Sequence, residues 1–386
     1  MISKLSKESW KVKNIGDVSS ECKNRVDKPK ESGYDKFVGL EHFEGGELFI
    51  RKNGTTENLN SAMKLFKNGN VLFARRNAYL KRASVVNFDG LCSGDAIVLN
   101  QNLNHLIKDF LIVILNTSFF WDYAISNAAG TMSKRVKWRD LAKYNFKLPP
   151  KDEQEKILSL FLTIEKLIEQ TEAQEKNLRN LITKLSDNLV AKNPEFGHLI
   201  FAEQLTLFKL GSIAGEKRES SKNPLAEGHE RFVGLEHIEP GNLKITNWGN
   251  VADGTTFTKT FKPGDLLFGR RRAYLKKVAV ADFSGLCSGD IIVIVPDKNK
   301  ILPGLFPYYV TAEAVFDYAV STSAGSLSPR TKWKDLSKFE FSLPPLDVQE
   351  KILDVFQSIQ NSIDLVHKQH IDLKYLKQNL LDEILG

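Results

Sequence analysis

The sequence predicts an α+β protein built by tandem duplication, in which an α/β globule and a long helix each occur twice. The two helices are expected to form an antiparallel coiled coil. Three observations carry this fold class. First, long blocks of sequence recur at one fixed offset of 195 residues, and two such units fill the 386-residue chain. Second, each unit opens with short β-branched and aromatic segments separated by Gly, Asn and Asp turns. Third, each unit closes with about forty residues free of Gly and Pro, whose apolar positions alternate at spacings of three and four.

The repeat is read directly from the residues. FVGLEH at Phe37–His42 returns unchanged at Phe232–His237. GNVLFARRNAYLKR at Gly69–Arg82 returns as GDLLFGRRRAYLKK at Gly264–Lys277. FDGLCSGDAIVL at Phe88–Leu99 returns as FSGLCSGDIIVI at Phe283–Ile294, and KWRDLAKYNFKLPPKDEQEKI at Lys137–Ile157 as KWKDLSKFEFSLPPLDVQEKI at Lys332–Ile352. The resulting partition is a first globule over residues 1–150, a helix over 151–193, a second globule over 194–345 and a second helix over 346–386.

Within the globules, VLFAR, LKRASVV and DAIVL read as strands, as do their second copies GDLLFGR, KKVAVA and DIIVIV. Residues 105–116 and 305–318 read as helices. The Pro149-Pro150 and Pro344-Pro345 pairs end the globules. Behind them, Asp152-x-x-Glu155 and Asp347-x-x-Glu350 have the spacing of a capping box. The first helix carries Phe161, Ile164, Ile168, Leu178, Ile182, Leu185 and Leu189 on one stripe. The second carries Phe356, Ile359, Ile363, Val366, Leu373, Leu380 and Ile384. Forty residues at ~1.5 Å rise span ~60 Å, and this period is that of a coiled-coil seam. Thr171, Glu175 and His370 interrupt the seam with polar groups. Two amphipathic helices, each lying on its own globule, are the alternative. Equivalent helices related by a local two-fold axis would instead run antiparallel and bring Met1 near Gly386.

Composition bounds the function. Hydrophobic residues at 42% and charged residues at 26% exclude a mainly disordered chain. The best apolar run, Phe110–Leu115, is far short of the ~20 residues of a membrane span. The start lacks a signal-peptide core, and three cysteines without metal spacing fit a reducing, cytoplasmic setting. The net charge of +7 is unevenly placed. Residues 1–148 carry 24 Lys and Arg against 15 Asp and Glu, whereas residues 149–192 carry 7 against 8. Residues 193–343 carry 19 against 17, and residues 344–386 carry 4 against 7. The basic excess lies in the globules, as expected if the globules touch a polyanion and the helices act as a spacer.

Two basic clusters recur in both units. One comprises Arg75, Arg76, Tyr79, Lys81 and Arg82, matched by Arg270, Arg271, Arg272, Tyr274, Lys276 and Lys277. The other comprises Lys134, Arg135, Lys137, Trp138 and Arg139, matched by Arg330, Lys332, Trp333 and Lys334. The Arg-Arg-x-Ala-Tyr segment, between two strands, reads as a hairpin or its exposed lip. Arginine's planar fork suits guanine O6 and N7, while lysine suits phosphates. Solvated faces of strands and turns are the bland alternative for either cluster taken alone.

No GxxxxGK followed by Ser or Thr, no G-x-G-x-x-G after a strand and no Asn/Asp-Pro-Pro-aromatic segment is present. Catalytic and metal-ligating residues are therefore expected to be absent. Cys92 with His42, and Cys287 with His237, form a conceivable nucleophilic pair. A thiol at the mouth of an apolar strand is ordinarily structural. His367-x-x-His370 lacks further ligands at metal spacing. A coiled-coil scaffold binding only proteins is a further alternative.

Taken along its whole length, this pattern resembles the DNA-specificity subunits of type I restriction–modification systems. WKVKNIGDV at Trp10–Val18 looks like the start of a target-recognition domain, and Gly264–Ile294 looks like one class of such domains. LPPKDEQEKI and LPPLDVQEKI are similar to the junction with a spacer helix. The resemblance implies two target-recognition domains on double-stranded DNA, each reading one half of a split site. It also implies a helical ruler that docks two modification (methyltransferase) subunits, with restriction (nuclease/translocase) subunits joining the complex. S-adenosylmethionine, ATP and magnesium would then belong to those partners, with no cofactor in this chain and no membrane. A methylation-only or other defence system would use the same kind of subunit. Because the two copies are close relatives, the site is expected to be nearly palindromic, as for two-fold dimers on operators. The copies differ most at 19–36 against 214–231 and at 48–68 against 243–263, where differing bases would be read. Asn77 against Arg272 is a further point of discrimination.

Overall fold

A computed structural model of the chain describes residues 7–191, 194, 196 and 204–386. The chain forms two compact units, residues 1–172 with 367–386 and residues 173–366. Each unit contains one globule and one half of each long helix, so the division cuts through both helices rather than at their starts.

In the first unit, Lys11–Asn14 and Asn145–Leu148 form an antiparallel ribbon that ties the start of the globule to its end. An antiparallel sheet follows in the order Ser19–Cys22, Ala96–Gln101, Val71–Ala74, Ala83–Val85. A mixed sheet has the order Arg25–Val26, Met63–Phe66, Gly90–Cys92, Lys36–Val38, Gly54–Thr55. In it Phe37 pairs with Leu91 in parallel, so the two best-repeated motifs, FVGLEH and LCSGD, are neighbours in one sheet. Continuous apolar runs such as Val71–Ala74 are buried throughout, because both faces of that sheet are covered. One face packs on Phe110, Leu111, Phe120 and Trp121, and the other on Val38, Phe43 and Phe66.

The second unit repeats this plan. Thr206–Lys209 pairs with Glu340–Leu343, and the antiparallel sheet runs Ala214–Lys217, Ile291–Pro296, Leu266–Gly269, Val278–Val280. Its mixed sheet is Gly249–Asn250, Arg231–Val233, Gly285–Cys287, Lys259–Phe261. Where the first unit adds the strand Arg25–Val26, the second has a single bridge between Ser220 and Lys259.

The helices expected over 105–116 and 305–318 are each interrupted. The chain forms Leu111–Leu115 and then Ser118–Ser126, and in the second unit Phe306–Val310 and then Glu313–Ser321. Thr117 supplies the reason in the first unit. Its backbone is extended and its hydroxyl accepts from the Phe120 amide, so a new helix starts there.

The long helices run Lys151–Leu189 and Leu346–Leu385. Asp152 already lies inside the first helix, so it is not the cap that the acidic spacing suggested. Gln154 does the anchoring. Its buried amide accepts from the Ile107 N–H at 2.9 Å and donates to the His105 and Pro149 carbonyls. Gln349 repeats all three bonds with Leu302, Lys300 and Pro344.

Within the first unit the helix halves are antiparallel, since Glu165 meets Lys377 while Thr171 meets His370. Phe161, Ile164, Ile168, Leu381 and Ile384 enter the globule's own core. In the second unit Ile182, Leu185 and Leu189 share a core with Val348, Ile352 and Phe356. Both alternatives from the sequence thus hold together: the helices pair, and they also lie on globules. Asp382 accepts from the Ser118 amide at 2.7 Å, and Asp187 accepts from the Glu313 amide at 2.7 Å. A carboxylate at a helix start is favourable to the macrodipole, so each globule is seated by the helix that follows the other globule in sequence.

Lys7 donates to the carbonyls of Glu383 and Gly386 at 3.0 Å each, which brings the described start of the chain to its end. Met1 itself lies outside the described residues, as does most of the segment joining the first helix to the second globule.

Candidate nucleic-acid interface

The Arg-Arg-x-Ala-Tyr segment connects two adjacent antiparallel strands, Val71–Ala74 and Ala83–Val85, as a broad lip. A single 3-10 turn, Ala78–Leu80, is flanked by Asn77 and Lys81, both in the left-handed region (φ 54° and 49°). Arg272 and Lys276 flank the equivalent turn, at φ 52° and 51°. Asparagine adopts this conformation readily, whereas arginine and lysine do so at a cost of about 1–2 kcal/mol. This lip is therefore a strained feature retained in both copies.

The second basic cluster, distant in sequence, is joined to the lip. The Asn77 amide donates to the Lys134 carbonyl at 3.2 Å, and the Val136 amide to the Arg75 carbonyl at 2.9 Å. In the other unit the Arg272 amide reaches Pro329 and the Thr331 amide reaches Arg270, each at 2.9 Å. Arg76 Nε donates to Ser133 Oγ at 2.6 Å, and Arg271 Nε to Ser328 Oγ at 2.6 Å. Each unit thus carries one continuous cationic surface made from both clusters.

The residues on it fall into two groups by what they touch. Arg82 is half-buried and donates to the carbonyls of Leu40 and Arg76 at 2.9 and 3.2 Å, and burial lowers its pKa. Lys277 donates to the Leu235 carbonyl in the same way. These two cations tie the lip to the Gly-Leu-Glu-His turn. Arg135 grips Asp95 with two parallel bonds of 2.7 and 3.0 Å, and Arg330 grips Asp290 at 2.6 and 3.2 Å. Both carboxyls are held below the ordinary aspartate range, chiefly by these hydrogen bonds. Arg270 Nε donates to the Thr331 carbonyl, and Lys276 pairs with Glu313. Arg75 is half-buried.

Arg76, Lys134, Lys137, Arg272 and Lys332 are exposed, as are Tyr79 and Tyr274, while Arg271 and Lys81 are partly so. These side chains are the ones most open to solvent on the surface.

Sequence reading missed the acidic partners Asp95 and Asp290. The signal was present: Asp95 and Arg135 recur as Asp290 and Arg330 with the same 40-residue separation. It also missed Lys377, a cation buried at a seam position between the helices. Lys377 donates to Glu165, which also meets Arg51 Nη2 at 3.1 Å.

Cys92 and Cys287 lie in buried strands, and burial pushes both thiols up to about 12. A thiol in that state is not a nucleophile at neutral pH. His42 Nδ1 and His237 Nδ1 each accept from the amide of the glycine three residues before, at 2.9 and 3.0 Å. These histidines brace a turn. No described helix is long and apolar enough to cross a membrane.

Comparison with known proteins agrees with the family resemblance carried by the sequence motifs. The family model for the type I restriction modification DNA specificity domain matches residues 7–180 and again 206–375. The type I restriction enzyme EcoDI specificity subunit of Escherichia coli is 28% identical over 167 residues, covering 43% of this chain and 37% of that protein. The chain thus matches well under half the length of that relative. Among solved structures, one described as showing complex assembly and conformational transition of the type I R-M system has a TM-score of 0.61 at 19% identity. That match covers 98% of this chain and 97% of the other. The type I restriction-modification system S subunit from M. genitalium has a TM-score of 0.52 at 15% identity, with 99% and 98% covered. These two likenesses concern the fold. The twofold match of the family model over most of the sequence shows that this chain belongs to the type I restriction-modification DNA specificity family, whose members recognise DNA without carrying out catalysis.

Proposed function

We propose that this chain reads a bipartite, nearly palindromic duplex site and directs partner methyltransferase and nuclease/translocase subunits to it. The single observation that carries this reading is the repetition of one cationic surface on one frame in both units. Two copies of a reading surface in one chain imply two half-sites, and similar surfaces imply similar half-sites. Of the residues proposed for contact, Arg76, Lys134 and Lys137 face DNA in the first unit, and Arg271, Arg272 and Lys332 do so in the second. Tyr79 and Tyr274 pack against sugar or base. Arg82, Lys277, Arg135 and Arg330 hold the surface in shape, and their residual charge adds to the field that attracts phosphates.

The paired helices are proposed to set the gap between half-sites and to dock two modification subunits. S-adenosylmethionine, ATP and magnesium are assigned to those partners and to restriction subunits, and in this chain Cys92 and Cys287 are buried in strands while His42 and His237 brace turns. The test is selection of binding sites from random duplexes, followed by footprinting. Two protected half-sites of related sequence at a fixed gap are expected. One contiguous footprint, or two unrelated halves, would overturn the bipartite or the near-palindromic part respectively.

A further inference from the structure

Met132 and Leu327 occupy equivalent positions at the tips of two loops and are the most exposed large apolar side chains among the described residues, at 100% and 91%. A side chain lying on a surface keeps part of its area covered. Complete exposure means that these tips protrude. We propose that Met132 and Leu327 are apolar wedges that press into the base stack of bound duplex DNA and partly unstack one step in each half-site. The inference rests on the DNA-reading function proposed above and adds to it a distortion of the target.

Four features support it. The loops are closed at their bases, Ala129 and Arg135 exchanging two backbone bonds of 3.1 and 2.9 Å, and Ala324 and Arg330 two of 3.1 and 3.0 Å. Each turn begins with a glycine at φ 129° or 115°, a conformation closed to ordinary side chains. Ser133 and Ser328, one residue beyond each tip, accept from Arg76 and Arg271, so the wedge is fixed relative to the exposed arginines. Finally, the two loops differ around the tip but not in its character. Gly-Thr-Met-Ser-Lys becomes Gly-Ser-Leu-Ser-Pro, keeping the glycine, an unbranched or γ-branched apolar tip and the serine.

The occupant follows from the setting. Each tip lies beside basic residues, Arg76 and Lys134 for one loop and Arg271 and Arg272 for the other, so a polyanion is drawn to them. The apolar surface that a nucleic acid offers lies between its bases. Met and Leu are among the side chains that proteins insert between base steps, where the cost of unstacking is offset by the closer contact that a bent duplex allows. Positioning by a rigid loop lowers the ordering cost of insertion.

The experiment uses the full chain and duplexes bearing its selected site, with a fluorescent base analogue at each position of one half-site in turn. The expected result is a several-fold rise in fluorescence at one step on binding. Met132→Ser or Leu327→Ser should abolish that rise in its own half-site and weaken binding roughly tenfold, because the buried apolar contact is lost. Met132→Leu should retain both. The salt dependence should stay unchanged, since no phosphate contact is removed. Normal binding with no brightening at any step, or Ser variants that bind and brighten like wild type, would remove the wedge and leave DNA reading intact. A wild-type chain that bound no duplex would overturn both.

Discussion

Arg76 and Arg82 lie six residues apart on one lip, yet the structure predicts opposite consequences for their replacement. Arg82→Ala removes two charge-assisted bonds, to Leu40 and Arg76 carbonyls at 2.9 and 3.2 Å, in a half-buried position. Such bonds are worth about 1.5–3 kcal/mol each, and partial hydration of the released carbonyls returns some of that. A net loss of about 2–3 kcal/mol is expected. For a unit of this size that corresponds to a fall in melting temperature of roughly 5–10 °C. Arg76→Ala removes a single bond to Ser133 at an exposed site, so stability should change by no more than ~0.5 kcal/mol. Its loss should fall on DNA instead, by about 1–3 kcal/mol on a cognate half-site and far less on random duplex. The assay is a thermal melt of each variant beside titration of cognate and random duplexes at fixed salt. If Arg76→Ala melted early and bound normally while Arg82→Ala did the reverse, the division between holding and reading residues would be refuted.

Lys377→Met should destabilise the first unit by about 2–3 kcal/mol, at the low end for a broken buried pair because Arg51 still meets Glu165. Denaturant melts should find the double variant Glu165→Leu with Lys377→Met within ~1 kcal/mol of wild type. Glu47 is half-buried, and desolvation first, then the neighbouring Glu44 and Glu165, pushes its pKa up to about 7 against the opposing pull of Arg51. The folded state then holds a proton that the unfolded state releases near 4.5, so stability falls as pH rises from about 4.5 through 7. Glu47→Gln should flatten that loss, on the order of 3 kcal/mol, in melts run across the window. Arg272→Gly should relieve the left-handed strain and raise stability by about 0.5–1 kcal/mol while weakening DNA binding. An unchanged melt together with unchanged binding would contradict both roles.

Much of the fold was legible because its signals are local. The runs VLFA and AIVL and the stripe from Phe161 to Leu189 each report structure within a few residues of themselves, and the offset of 195 shows when the chain is compared with itself. The parallel pairing of Phe37 with Leu91 was not legible, because register between distant strands leaves no trace in either segment. The break at Thr117 was missed because a threonine inside an apolar run reads equally as an interior residue or a cap. Lys377 was missed because a lone lysine on a seam looks like a solvated face until Glu165 stands opposite it. The two basic clusters were visible by charge and spacing. The proposed division into holding and reading residues depends on Leu40, Leu235, Asp95 and Asp290, which approach only in the folded chain.

The most direct test of the central claim is to exchange residues 48–68 with 243–263 and map the selected binding site before and after. Two related half-sites are expected, whose small differences change places while the gap between them stays the same, since both long helices are untouched. A changed gap, or half-sites that do not respond to the exchange, would contradict the assignment of reading to the globules and spacing to the helices.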